Sequence, residues 1–344
     1  MKEIVILDPM LDQAVAMAKY LKKYGNYKVI GCITKKPKGI LNKLDTYKYF
    51  NEIIYHEINQ LLLDKYPVIV PVGALSTKQY FDIAETCRVG EVVFKRENLR
   101  VSDKIFMLNL CEQLNIPVPK TYEAGEKIEK FPVFCKSKYE LSSLPKIRKI
   151  AKQQSDIDKL PHNEIIIQEY IKHPSTFCVA FLAISGKIEV CFIHEELLSY
   201  PKHGGSGVFL KKVYYDALFD YTSSLLEKLN YDGLGLAEFK YIPEKKEFIF
   251  MEINAKFWAS LEFSMSGNSR FGRFLFGIKY PSKFGLWFTF VSRLFITNIF
   301  QIFRYLPRII ISRKTKSGSL LKMLGVFLKH WAGKFTKKKY LQNV

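Results

Sequence analysis

Two glutamates, an asparagine and a lysine stand at spacings that can serve one small site: Glu238 in LAEFK, then Glu252, Asn254 and Lys256 in MEINAKFW. The stretch 234–258 reads as two strands rich in Phe, Tyr and Ile around the polar turn PEKK, a hairpin signal. A hairpin closing symmetrically about Lys245 sets Glu238 directly opposite Glu252. Opposed side chains on paired strands lie about 5 Å apart. Two carboxylates at that distance repel by about 3 kcal/mol at an effective dielectric of about 20, a cost that a cation between them removes. Because side chains alternate along a strand, Glu252, Asn254 and Lys256 share one face while Met251, Ile253 and Ala255 share the other. Two carboxylates and an amide oxygen are the hard donors that Mg²⁺ prefers, and the neighbouring Lys256 suits an anionic group. On spacing alone, an exposed hairpin with a solvated charged face explains the same residues.

The elements that must carry this hairpin are legible upstream. Residues 4–7 make a short apolar strand, and the following DQAVAMAKYLKKYG places Ala14, Met17, Ala18 and Leu21 on one helical face before Gly25. Strands at YKVIGCI, NEIIYH and PVIVPV, then a helix at STKQYFDIAETC, make the first 97 residues a small parallel α/β domain. It lacks the G-x-G-x-x-G turn of a dinucleotide site. Ser102 is a candidate N-cap for a helix reaching Leu114, with Lys104 in its first turn. FPVFCK and EIIIQEYI read as strands, and FCVAFLAI with KIEVCFIH as a hairpin about Ser185-Gly186. The loop Gly204-Gly205-Ser206, backed by Lys211 and Lys212, has glycines that let backbone amides approach an anion.

Taken together and in this order, SDK, FCK, QEYI, GGSG, AEF and MEIN resemble the ATP-grasp ligases. The resemblance implies an α/β and α+β chain. A Rossmann-like domain over 1–97 precedes a grasp fold divided into 98–165 and 166–275. It implies that Lys104 and Lys136 reach ATP phosphates and that Gln168, Glu169 and Ile171 read adenine. Gly204, Gly205 and Ser206 cover the nucleotide, and Glu238, Glu252 and Asn254 hold Mg²⁺ or Mn²⁺. Lys256 and Lys211 then act on the transferred phosphate or the carboxylate. The activity implied is formation of an acyl phosphate from a substrate carboxylate, followed by attack of an amine. The chain departs from the family pattern twice. Asn254-Ala255-Lys256 stands where Asn-Pro-Arg is usual, and residues 137–160 contain no glycine where a phosphate-covering loop is common. Those departures motivate an alternative to the ligase, a nucleotide-binding ATP-grasp protein without catalysis.

The net charge of +20 is concentrated at one end. From Arg270 onward there are sixteen Lys and Arg and no Asp or Glu, so the first 269 residues carry only four of the twenty net charges. Within 284–311, Arg293, Thr297, Gln301, Arg304 and Arg308 recur at helical spacing against Trp287, Phe290, Phe295, Ile299 and Phe303. This predicts a basic amphipathic helical tail over 276–344, held at an anionic membrane surface through 284–344. Its longest uncharged run, ten residues, is about half a bilayer span. A cytoplasmic enzyme on the inner membrane face, taking a small-molecule or lipid-linked carboxylate and an amine substrate in polysaccharide or peptidoglycan assembly, is the corresponding expectation. Confinement of the charge to amphipathic stretches argues against the competing reading, a nucleic-acid binder. Six scattered cysteines without C-x-x-C spacing read as reduced core thiols.

Overall fold

A run of apolar and β-branched residues, KEIVIL, opens the chain as strand β1 (Lys2–Leu7), and its last four side chains are buried. It is flanked by β2 (Tyr27–Ile33) and β4 (Ile69–Val70), with β3 (Glu52–Tyr55) outside β2, in the order β3-β2-β1-β4. All three pairings are parallel, which requires crossover connections. Helix α1 (Asp12–Tyr24) supplies one and buries Ala14, Met17, Ala18 and Leu21, the face its spacing defined. Helices α2 (Gln60–Lys65) and α3 (Ala74–Ile83) follow. The helix expected through Cys87 stops earlier, because Thr86–Val89 forms β5, which pairs antiparallel with β6 (Val92–Lys95). The computed structural model describes residues 2–34, 47–123, 126–139, 147–172, 175–200, 205–282, 285–290, 293 and 316–317.

Helix α4 (Lys104–Gln113) is capped by Asp103, not Ser102: the Asp103 carboxylate accepts from the Ile105 and Phe106 amides. A second sheet then combines β7 (Thr121–Tyr122), β8 (Val133–Ser137), β9 (Arg148–Ala151) and β10 (Ile165–Glu169) in the order β7-β10-β8-β9. Its alternation is simple. Val133, Cys135, Ala151 and Ile165 face a small core of their own, completed by Tyr122 and Ile157 of α5 (Gln154–Ile157), while Lys136 and Gln168 point the other way. The expected boundary between 165 and 166 therefore falls inside one sheet. The change of sheet comes after β10.

The third sheet has seven strands in the order β15-β14-β11-β12-β13-β16-β17. Its members are β11 (Thr176–Ile184), β12 (Lys187–Tyr200), β13 (Ser206–Lys212), β14 (Gly233–Ile242), β15 (Glu247–Asn254), β16 (Trp287–Phe290) and β17 (Lys316–Ser317). The β11–β12 turn is the expected Ser185-Gly186, both at positive φ, the geometry of a tight hairpin. Helix α6 (Asp216–Leu229) ends on Asn230 in the left-handed region and packs Leu218, Leu225 and Leu226 inward. Two short helices, α7 (Leu261–Gly267) and α8 (Arg270–Phe276), return to α1, and one continuous core runs from the first sheet through the third.

The tail corrects an expectation. Trp287–Phe290, assigned above to an amphipathic helix, is instead a strand antiparallel to β13, with Phe288 and Phe290 each 1% exposed. Alternating apolar residues on a four-residue strand and one turn of an apolar helix look alike in sequence. The remainder of the expected tail helix lies outside the described residues, apart from Arg293 and Lys316–Ser317. Among the described residues, no helix is long and apolar enough to cross a membrane.

Candidate functional site

The hairpin β14–β15 sets Glu238 opposite Glu252, but not by closing about Lys245. Near the turn the register pairs Ile242 with Glu247 and Phe239 with Phe250, which if continued would put Met251 opposite Glu238. A bulge at Met251 adds one residue and brings Glu252 into place. The bulge is gripped from the second sheet, where Lys136 Nζ donates to the Met251 carbonyl at 3.3 Å.

Asn254 ties the two carboxylates together: its Nδ2 donates to Glu238 Oε1 at 2.9 Å and Glu252 Oε1 at 3.3 Å, while its Oδ1 accepts from Lys256 Nζ. Cations close in from two further elements. Lys104 Nζ, at the start of α4, lies 3.4 Å from Glu252 Oε2, and Arg148 Nη2 on β9 lies 3.7 Å from Glu252 Oε1. Arg148 pairs directly with Lys136 across β8 and β9. Burial by itself raises the Glu252 carboxyl, but Lys104, Lys136, Arg148 and Lys256 outweigh it and hold that group well below the usual carboxylate range. Burial pushes the Lys136 ammonium down to about 8, with Glu252 opposing and Lys104 and Arg148 reinforcing the shift. Both lysines are 6% exposed. The second and third sheets and a helix start thus gather cations and carboxylates in one buried cluster.

The expected adenine strand is β10. Gln168 is 1% exposed; its Nε2 donates to Thr121 Oγ1 at 2.9 Å and its Oε1 has no hydrogen-bond partner. A buried acceptor left open on the face that also carries Lys136 suits a donor such as an exocyclic amine. Glu169 spends its Oε1 on the Lys120 amide at 2.9 Å, and Ile171 follows in the link to β11.

Other expected site residues are not brought to the carboxylates. Lys211 pairs with Glu195, on the face of the sheet opposite His194 and Glu196, and its Nζ lies 5.5 Å over the Trp287 ring. Ser206 is not in a loop but opens β13 opposite Tyr200, and Gly205 precedes it; Gly204 lies outside the described residues. Sequence reasoning missed Arg148, which sits in the glycine-free stretch, and a polar row running on from the carboxylates. Cys178 pairs with Glu238 on one side and His194 on the other. Glu196, two residues along the same face, has its carboxyl pushed up to about 8 by burial and then by Glu238. Burial also keeps His194 neutral, down to about 3.

No protein-family model matches this sequence, and no curated protein does. Solved structures match over most of the chain. Biotin carboxylase from Campylobacter jejuni, in a complex with a β,γ-ATP compound, aligns at TM-score 0.57 and 14% identity over 82% of this chain and 72% of that one. The L-amino acid ligase from Bacillus licheniformis aligns at TM-score 0.53 and 10% identity over 78% and 71%. Rhizobium etli pyruvate carboxylase aligns at TM-score 0.57 and 13% identity over 78% of this chain, which spans only 27% of its length. At such identities the likeness is one of fold.

Proposed function

We propose that this chain, which has the ATP-grasp fold, is an ATP- and Mg²⁺-dependent ligase that joins a carboxylate to an amine through an acyl phosphate. One observation carries the reading: Lys104, Lys136 and Arg148 converge on the same buried carboxylate, Glu252, that faces Glu238. A triphosphate with its cation needs both signs of charge within one desolvated cleft. Glu238 and Glu252 are hard oxygen donors aligned by the Asn254 amide, and they fit Mg²⁺, which neutralises phosphate charge when bound. Asn254 in this arrangement gives its oxygen to Lys256, so its part is to hold the carboxylates in line. Lys136 and Arg148 face the phosphates from β8 and β9, Lys104 from α4, and Gln168 Oε1 takes the adenine amine. The buried cations hold the reacting carboxylate and phosphate together and exclude water from an acyl phosphate.

The test is ADP release from Mg·ATP with panels of acids and amines. Glu252→Gln, nearly isosteric, is expected to lose most turnover. It should also be less stable without nucleotide, by about 3 kcal/mol, because the buried cations around Glu252 lose the charge that offsets theirs. Wild-type turnover in that variant at limiting Mg²⁺ would overturn the assignment.

A finer reading places the enzyme on the cytoplasmic face of a membrane, with a lipid-linked substrate from polysaccharide or peptidoglycan assembly. Sixteen cations without one acidic residue after position 269 support it. Cations near an anionic leaflet contribute about 1 kcal/mol each.

A further inference from the structure

We propose that Cys178, His194 and Glu196 form a second cation site, for one borderline-soft divalent ion such as Zn²⁺, beside the carboxylate pair on the same sheet face. The register builds it. Cys178 and His194 are direct partners across β11 and β12, and Glu196 lies two residues beyond His194, on the same side of the sheet. One donor atom from each residue lies within 4.8 Å of the other two. Tetrahedral zinc sets such donors roughly 3.5 Å apart, a difference that side-chain rotation closes.

His194 gives the independent sign of a ligand. Its ring is fully buried; Nε2 meets Ser260 Oγ at 3.1 Å, and Nδ1 has no hydrogen-bond partner. An unsatisfied buried polar atom costs about 1–3 kcal/mol, and an imidazole whose second nitrogen is held by another group is the usual form of a metal ligand. Glycine at 207 keeps the space beside this carboxylate clear: a Cβ there would stand 2.5 Å from Glu196 Oε1. A thiolate, an imidazole and a carboxylate select Zn²⁺ over Mg²⁺, whereas Glu238 and Glu252 offer oxygen alone. Binding releases the thiol proton to solvent. Three protein ligands leave a tetrahedral ion one open position.

The experiment uses the full chain, stripped with a chelator and titrated with Co²⁺ without nucleotide, so its outcome does not depend on ATP chemistry. One equivalent is expected to bring up a thiolate-to-cobalt charge-transfer band, removed by Zn²⁺ and untouched by excess Mg²⁺. Cys178→Ser should abolish the band, and Ser260→Ala should weaken Co²⁺ binding about tenfold. No band at saturating Co²⁺, or a band that survives in Cys178→Ser and so belongs to another cysteine, overturns the site. Circular dichroism checks that Cys178→Ser folds; if it does not, His194→Gln decides, and unchanged Co²⁺ affinity in that variant is equally fatal.

Discussion

Lys136 is a charge kept in a place that does not favour it. Its folded value of about 8 lies below its ordinary 10.5, so between these pH values the unfolded chain binds more protons and stability rises with pH. Below pH 8 the buried ammonium costs about 3 kcal/mol at 1.36 kcal/mol per unit. Lys136→Met should therefore stabilise the nucleotide-free protein near neutral pH, by up to that amount, while weakening ATP binding by about 1.5–3 kcal/mol. Nucleotide binding to the parent chain between pH 8 and 9 should take up a proton. Calorimetry in buffers of different ionisation enthalpy reads the uptake, and denaturation curves read the stability. A Lys136→Met chain less stable than its parent would make the lysine a structural ion-pair partner.

At the scale of elements, the last strands of the third sheet decide where the chain can be cut. A chain ending at Tyr280 loses β16, and with it Phe288 and Phe290, each worth about 1.5–3 kcal/mol of burial. It also loses Arg293, whose guanidinium donates to the Gly207 carbonyl at 2.8 Å and pairs with Asp12 of α1. Truncation after Tyr280 is expected to cost about 3–6 kcal/mol in denaturant unfolding, and truncation after Arg293 far less. Equal stabilities would mean that β16 is dispensable. The sequence made the hairpins readable because turn chemistry and alternation are local, as at Ser185-Gly186 and in β14–β15. It hid what rests on distant pairing. Arg148 carries no signal until β9 docks beside Lys136, Cys178 is an ordinary core thiol until β12 brings His194 alongside, and the Met251 bulge depends on a grip from another sheet. Glu238 and Glu252 were found opposite each other by a symmetry that the turn does not have.

Across the whole molecule, positive charge accumulates toward one end: the first 269 residues carry four of the twenty net charges, and eleven lie after Arg293. Among the described residues, the cations that act on Glu252 lie before that end: Lys104, Lys136, Arg148 and Lys256. The chain cut after Arg293 should thus still bind Mg·ATP while losing sedimentation with anionic vesicles. The intact chain should release from vesicles as salt rises, because the Debye length falls from about 10 Å at 0.1 M to about 3 Å at 1 M. A residual fraction held by apolar side chains should persist at high salt. Vesicle binding by the cut chain equal to that of the intact one would place the membrane contact on the body. An intact chain that ignores vesicles and binds single-stranded RNA at matched salt would remove the membrane reading, and with it the lipid-linked substrate, while leaving the cleft and its chemistry untouched.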